Sequence, residues 1–138
     1  MGLIFRPMTV DDHPSRAAAL RDHPAHPLDF RPGRGDAGFV ALDGGRPVGV
    51  IWAQFVAGPG HVADDIPEMM LHVAEGYRNI GLGARLIGLL ADHGREQGWP
   101  GISLSVGEGS IARRLYGRTG FVDRAAAGTM LLNLSDRI

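Results

Sequence analysis

The chain has 138 residues, a formal net charge of -1 and no cysteine, so it is the size of one ordinary domain. Disulfides, thiolate metal sites and cysteine nucleophiles are excluded, and no global basic field exists for nucleic acid. With 44% apolar and 21% charged residues the composition is globular, the apolar runs are too short to span a bilayer and no signal-peptide core opens the chain, so a single cytoplasmic domain without a membrane partner is expected.

Ile4-Phe5-Arg6-Pro7 reads as a short first strand. Thr9 is an N-cap for a helix over 10–21, where Ala17, Ala18, Ala19 and Leu20 favour helix and Pro14 lies near the tolerated start. Residues 22–37, with Pro24, Pro27, Pro32, Gly33 and Gly35, read as a loop of the length that often forms a binding edge. Asp43-Gly44-Gly45-Arg46 is a turn between strands at 38–42 and 48–57, hence a hairpin. The second of these strands is apolar over most of its length, as suits burial on both faces, with Trp52 and Phe55 as core. Gly58-Pro59-Gly60 ends it. In a strand over 67–73, Met69, Leu71 and Val73 share one face and Glu68, Met70 and His72 the other.

The clearest helix spans 82–97. Leu82, Leu86, Leu89, Leu90 and His93 recur at helical spacing, Arg85, Asp92, Arg95 and Glu96 cover the other side, and Gly98 supplies the stop. A strand over 102–106, a helix capped by Ser110 and running to Thr119, and strands at 121–124 and 129–134 complete the order β-α-β-β-β-α-β-α-β-β. That is one mixed sheet with helices packed on it. Met130, Leu132 and Leu134 alternate and suit either core packing or a homodimer seam. His13, His23 and His26 each precede a proline, but no carboxylate cluster with ligand spacing accompanies them, so no metal is expected. All 14 basic residues are arginine; Arg113, Arg114 and Arg118 form a basic helix face.

The informative segment runs from Val73 to Ala84 and joins a strand to the long helix. The first amides of a helix have no intrahelical partners and carry the positive end of the dipole. Glycines at 81 and 83 remove side chains that would hold a diphosphate away, and Arg78 adds a charged donor. A Rossmann fingerprint is absent, since Leu86 stands at the last glycine position, and a Walker loop needs a lysine the chain lacks.

Arg78-x-x-Gly81-x-Gly83 after a strand ending in Val73 resembles the coenzyme loop of the GNAT superfamily of N-acetyltransferases. Ala112-Arg113-Arg114-Leu115-Tyr116-Gly117-Arg118-Thr119-Gly120-Phe121 is similar to its second signature, and Arg6-Pro7-Met8-Thr9-Val10-Asp11-Asp12 to its opening. The resemblance extends from Ile4 to Leu134. It implies an α/β fold with a mixed, mostly antiparallel sheet, helices on both faces and splayed central strands. It also implies acetyl-CoA as cosubstrate and a small-molecule or peptide amine as acceptor.

By the same resemblance, backbone groups of Leu71 and Val73 hold the pantetheine and the thioester carbonyl. Amides near Asn79, Gly81, Gly83 and Ala84 hold the diphosphate. Tyr116 matches the family's acid, and a phenol is protonated at neutral pH. Two departures matter. The family's asparagine six or seven residues before this tyrosine is replaced by Ser110 or Gly109; Ser110 either contacts the coenzyme or only caps the helix. Ser105 stands where some members carry a glutamate base. The base is therefore unassigned: Glu68 and His72, which share a strand face, are within reach of the amine through water, with Glu108 a weaker candidate. Imidazole titrates nearest neutral pH, but a histidine on an apolar strand is more often simply packed and hydrogen-bonded. A CoA-binding module of this fold with little catalysis is the alternative reading.

Overall fold

The computed structural model describes residues 2–22, 29–107, 109–124 and 128–135. The elements are β1 (Ile4–Pro7), α1 (His13–Ala19), β2 (Ala37–Asp43), β3 (Arg46–Gln54), β4 (Glu68–Val73), α2 (Leu82–Gln97), β5 (Gly101–Ser105), α3 (Ala112–Arg118), β6 (Val122–Asp123) and β7 (Thr129–Asn133). Seven strands form one sheet in the order β1-β2-β3-β4-β5-β7-β6. Every neighbouring pair is antiparallel except β4 with β5. This is the fold class expected, and the element order is the one read from the residues.

Local chemistry explains where elements start and stop. Thr9 caps the first helical segment, and the Asp12 carboxylate accepts the Thr9 N–H at 2.8 Å, closing a capping box. The segment is not one continuous α-helix: 3-10 turns at Val10–Asp12 and Leu20–Asp22 flank α1. Pro14 has no N–H to give to the Val10 carbonyl. The Arg16 guanidinium instead donates to the carbonyls of Thr9 and Val10, at 2.8 and 3.1 Å. β3 stops at Gln54, earlier than the apolar run suggested, because the Phe55 N–H leaves the ladder for the Asp36 carboxylate at 2.9 Å.

Helix α2 has the bounds its periodicity predicts, but its buried stripe is Leu82, Leu86, Ile87, Leu90 and Ala91, with Leu89 only half-buried. It packs over Ile51 and Met69 of the central strands and over Ile102, Leu104, Leu132 and Leu134. Gly94 is required in that stripe, since a Cβ there would lie 2.6 Å from the Trp99 ring. On the other sheet face Met8, Ala19, Leu20 and Phe30 cover Val40, Val50 and Trp52. The two clusters give the sheet helices on both faces. Met130, Leu132 and Leu134 belong to the α2 cluster, so their alternation is core packing. Among the described residues no helix is long and apolar enough to cross a membrane.

Candidate active site

The centre of the sheet is parted. β4 is paired with β3 along its whole length, but it meets β5 at a single register pair, Glu68 with Ser103, beside a 3.0 Å bond from the Ser103 N–H to the Pro67 carbonyl. In an antiparallel ladder, backbone polar groups point alternately to the two neighbours. The Ala74 N–H bonds the Val48 carbonyl at 2.9 Å, which fixes the alternation: His72, Met70 and Glu68 turn toward β3, and Leu71 and Val73 turn toward β5. On the opposite bank the Val106 N–H bonds the Gly128 carbonyl at 2.7 Å. By the same rule Ile102 and Leu104 face β7, and Ser105 faces the opening. Leu71 and Val73, picked from the family resemblance, are thus the β4 residues whose amide groups face the gap past the last shared pair.

The gap runs into the turn that starts α2. Three residues there are left-handed: Gly76 at φ 94°, Asn79 at φ 65° and Gly81 at φ 83°. Among the described residues Asn79 is the one non-glycine with positive φ, a conformation asparagine tolerates better than most side chains. Gly81 is the N-cap and offers no side-chain acceptor. The Arg85 N–H bonds its carbonyl at 3.0 Å, so the amides of Leu82, Gly83 and Ala84 have no acceptor within the helix. The two glycines have different purposes. Nothing lies within 4 Å of a Cβ built at Gly81, whereas one at Gly83 would lie 2.9 Å from Leu115 Cδ2 and 3.6 Å from Leu71 Cδ2. Gly83 therefore makes room for the close approach of α3, a purpose the residues alone did not suggest. Arg78 is exposed, and its Nε donates to the Val73 carbonyl at 3.0 Å, so its guanidinium bridges the turn and the edge of the gap.

Leu115 brings α3 against this corner. One residue on, Tyr116 is buried, with its ring edge-on to Phe121 at 5.8 Å. Burial pushes its phenol up to about 12. Its hydroxyl makes no hydrogen bond to another described residue, and it stays protonated far beyond neutral pH. Helix α3 starts one residue later than expected: Ile111 is the N-cap, and the Ser110 hydroxyl accepts the Ala112 N–H at 3.2 Å. Arg113 of this helix is ion-paired with Asp123.

Glu68 and His72 lie on one face of β4, opposite Gln54 and Val50 of β3. Glu68 is 1% exposed, and its carboxylate accepts the Gly60 N–H at 2.9 Å. His72 is half-buried. Glu68 thus sits at the point where the central strands part, and His72 further along the open side. Glu108, His23 and His26 lie outside the described residues.

Two groups around the site escaped the sequence reading. Asp36 is buried and accepts from the backbone N–H of Arg31 and Phe55 and from both Nε and Nη2 of Arg34. It ties residues 29–36 to the end of β3, where the Gln54 amide also donates to the Asp29 carbonyl. The signal was an aspartate ending a proline- and glycine-rich run, which also reads as an ordinary turn residue. The second group is Tyr77, whose partners lie more than thirty residues away.

A sheet opened at its centre beside an uncapped, glycine-led helix start is the architecture of an acyl-coenzyme transferase. The chain belongs to the acetyltransferase (GNAT) family, whose pattern matches residues 5–121 and whose members use acetyl-CoA. Solved structures share the fold at low sequence identity. The protein yncA of Salmonella typhimurium, solved with its cofactor acetyl-CoA, is 18% identical, with a TM-score of 0.76 over 99% of this chain and 96% of its own. A GNAT-family acetyltransferase of Staphylococcus aureus Mu50 is 16% identical, with a TM-score of 0.74 over 96% and 99%. A GCN5-related N-acetyltransferase of Ralstonia eutropha JMP134 is 21% identical, with a TM-score of 0.67 over 91% and 95%. No curated protein matches the chain in sequence.

Proposed function

We propose that this chain moves an acetyl group from acetyl-CoA to a primary amine by direct attack. The observation that carries the reading is the gap between β4 and β5, with the amide groups of Leu71 and Val73 turned into it. Unpaired strand edges are satisfied by an extended ligand that takes the place of a strand, and the pantetheine arm, with its own amides, is such a ligand. The amides of Gly81, Gly83 and Ala84, with Asn79 and Arg78 beside them, suit the diphosphate. Ser110, at the start of α3, is a further candidate for a coenzyme contact.

Acetyl-CoA supplies the activated acyl group; the chain supplies position and proton transfer. An amide N–H of Leu71 or Val73 stabilises charge on the acyl oxygen. The amine nitrogen bonds to the acyl carbon as the carbon–sulfur bond breaks. Glu68 or His72, directly or through water, takes the amine proton, and the Tyr116 hydroxyl gives a proton to the departing sulfur. Burial keeps that phenol in its donor form.

Calorimetry with acetyl-CoA and release of free CoA with a panel of amines test the reading together. Tyr116→Phe is expected to lower kcat about a hundredfold with acetyl-CoA affinity nearly unchanged. Binding without release for any amine would leave a coenzyme-capture module. The absence of heat at millimolar acetyl-CoA would remove both.

A further inference from the structure

The turn between β4 and α2 is held at its root by the Ala74 N–H on the Val48 carbonyl, and at its end Gly81 is built into the helix start. Between these points Tyr77 is the residue that reaches out of the turn. Its ring is half-buried against the α2 side of the core. Its hydroxyl donates to the Asp43 carboxylate and accepts from Arg46 Nη2 at 3.3 Å. Asp43 and Arg46 are paired across the tip of the β2–β3 hairpin. One phenol thus ties the middle of the turn to a rigid hairpin 31 and 34 residues earlier in the chain. The two residues after it are Arg78, which reaches the edge of the gap, and Asn79, which is held left-handed.

We infer that Tyr77 is a positioning residue: through Asp43 and Arg46 it fixes the turn that cradles the coenzyme diphosphate, and so sets coenzyme affinity and not the rate of transfer. The inference rests on the acetyl-CoA reading above. An aromatic ring in the core with a charged acceptor at its tip leaves the turn few alternative shapes. Removing the hydroxyl keeps the ring in place and frees the turn to sample conformations in which the amides of Gly81 to Ala84 and the Arg78 guanidinium no longer converge. Affinity then falls by the fraction of time the competent shape is lost.

The test measures acetyl-CoA dissociation constants by calorimetry and steady-state kinetics with an accepted amine, for wild type, Tyr77→Phe, Asp43→Ala, Asp43→Asn and the Tyr77→Phe/Asp43→Ala double variant. Tyr77→Phe and Asp43→Ala should each raise Kd and KM for acetyl-CoA about tenfold, the loss typical of a hydrogen bond to a charged group. The kcat and the KM for the amine should stay within about twofold by the same reasoning. Asp43→Asn keeps an acceptor oxygen and should restore most of the affinity. The double variant should be no weaker than either single one, because both remove the same link. Unchanged acetyl-CoA affinity in Tyr77→Phe, or additive losses in the double variant, would overturn the inference while leaving the coenzyme reading intact. Wild-type protein that binds no acetyl-CoA would overturn both.

Discussion

The four strands from β1 to β4 and the three strands β5, β7 and β6 are secured by different means. In the first group each strand is laddered to its neighbour along most of its length, and polar locks surround it: Arg6 with Asp12 at 2.7 Å, and Arg34 with Asp36 at 2.5 Å. The second group is laddered within itself but joins the first through one register pair and through apolar packing under α2. Apolar packing is non-directional and holds two banks together without closing the space between them, whereas a ladder would close it. Directional bonds are thus concentrated where shape must be fixed and are few along the β4–β5 seam, where the proposed coenzyme site lies.

The sharpest way to break the first group is at Asp36. Asp36→Ala leaves Arg34 without its buried partner and removes the acceptor of two backbone N–H groups. A loss of about 4 kcal/mol is expected, read as a fall of more than about 10 °C in Tm. A loss below about 1 kcal/mol would mean that this lock is decorative. The seam itself is tested at Gly60, which is buried and whose N–H bonds Glu68. A Cβ there would lie 2.6 Å from the backbone carbon of Leu104, so Gly60→Ala must push its loop off β5. About 3 kcal/mol is expected in urea melts, with faster amide exchange at Ser103. Unchanged exchange there would show that the loop does not hold the two groups together.

The smallest expected effect belongs to the second group and is a pH dependence. Tyr116 is neutral in the folded and unfolded chains below pH about 10, and burial lifts its folded value to about 12. Between these values the unfolded chain releases the proton and the folded chain keeps it, so stability falls as pH rises through that window. About 2 kcal/mol should be lost by its upper end, at 1.36 kcal/mol per unit. Tyr116→Phe should flatten that slope relative to wild type in alkaline urea melts. An identical slope in the variant would assign the loss to other groups.

Much of the fold is legible in the residues because its determinants are local. The stripe of α2 and its Gly98 stop, the Thr9 cap and the hairpin turn at 43–46 each depend on side chains a few positions apart. What depends on distant packing is not legible in this way. Alternation in 67–73 marks a strand but carries no sign of where its pairing with β5 ends; that expectation came from family resemblance. The room that Gly83 gives Leu115 is hidden as well, because only the tertiary fold brings that neighbour near. Glu68 stands out in the sequence as a candidate base, but its burial under the loop at Gly60 has no local marker. Tyr77 and Asp43 are joined across 34 positions, a pairing for which a single sequence has no marker.

The lone register pair between β4 and β5 has a consequence for the protein in crowded solution. Past it, the facing margins of β4 and β5 are no longer laddered to each other, and an open strand margin is the kind of surface that invites any extended polypeptide to attach, including another copy's. On the proposed binding mode, a coenzyme lodged between them would double as a stopper against such mispairing. Yield on expression and shelf life in concentrated stocks should therefore track the supply of acetyl-CoA as well as the temperature.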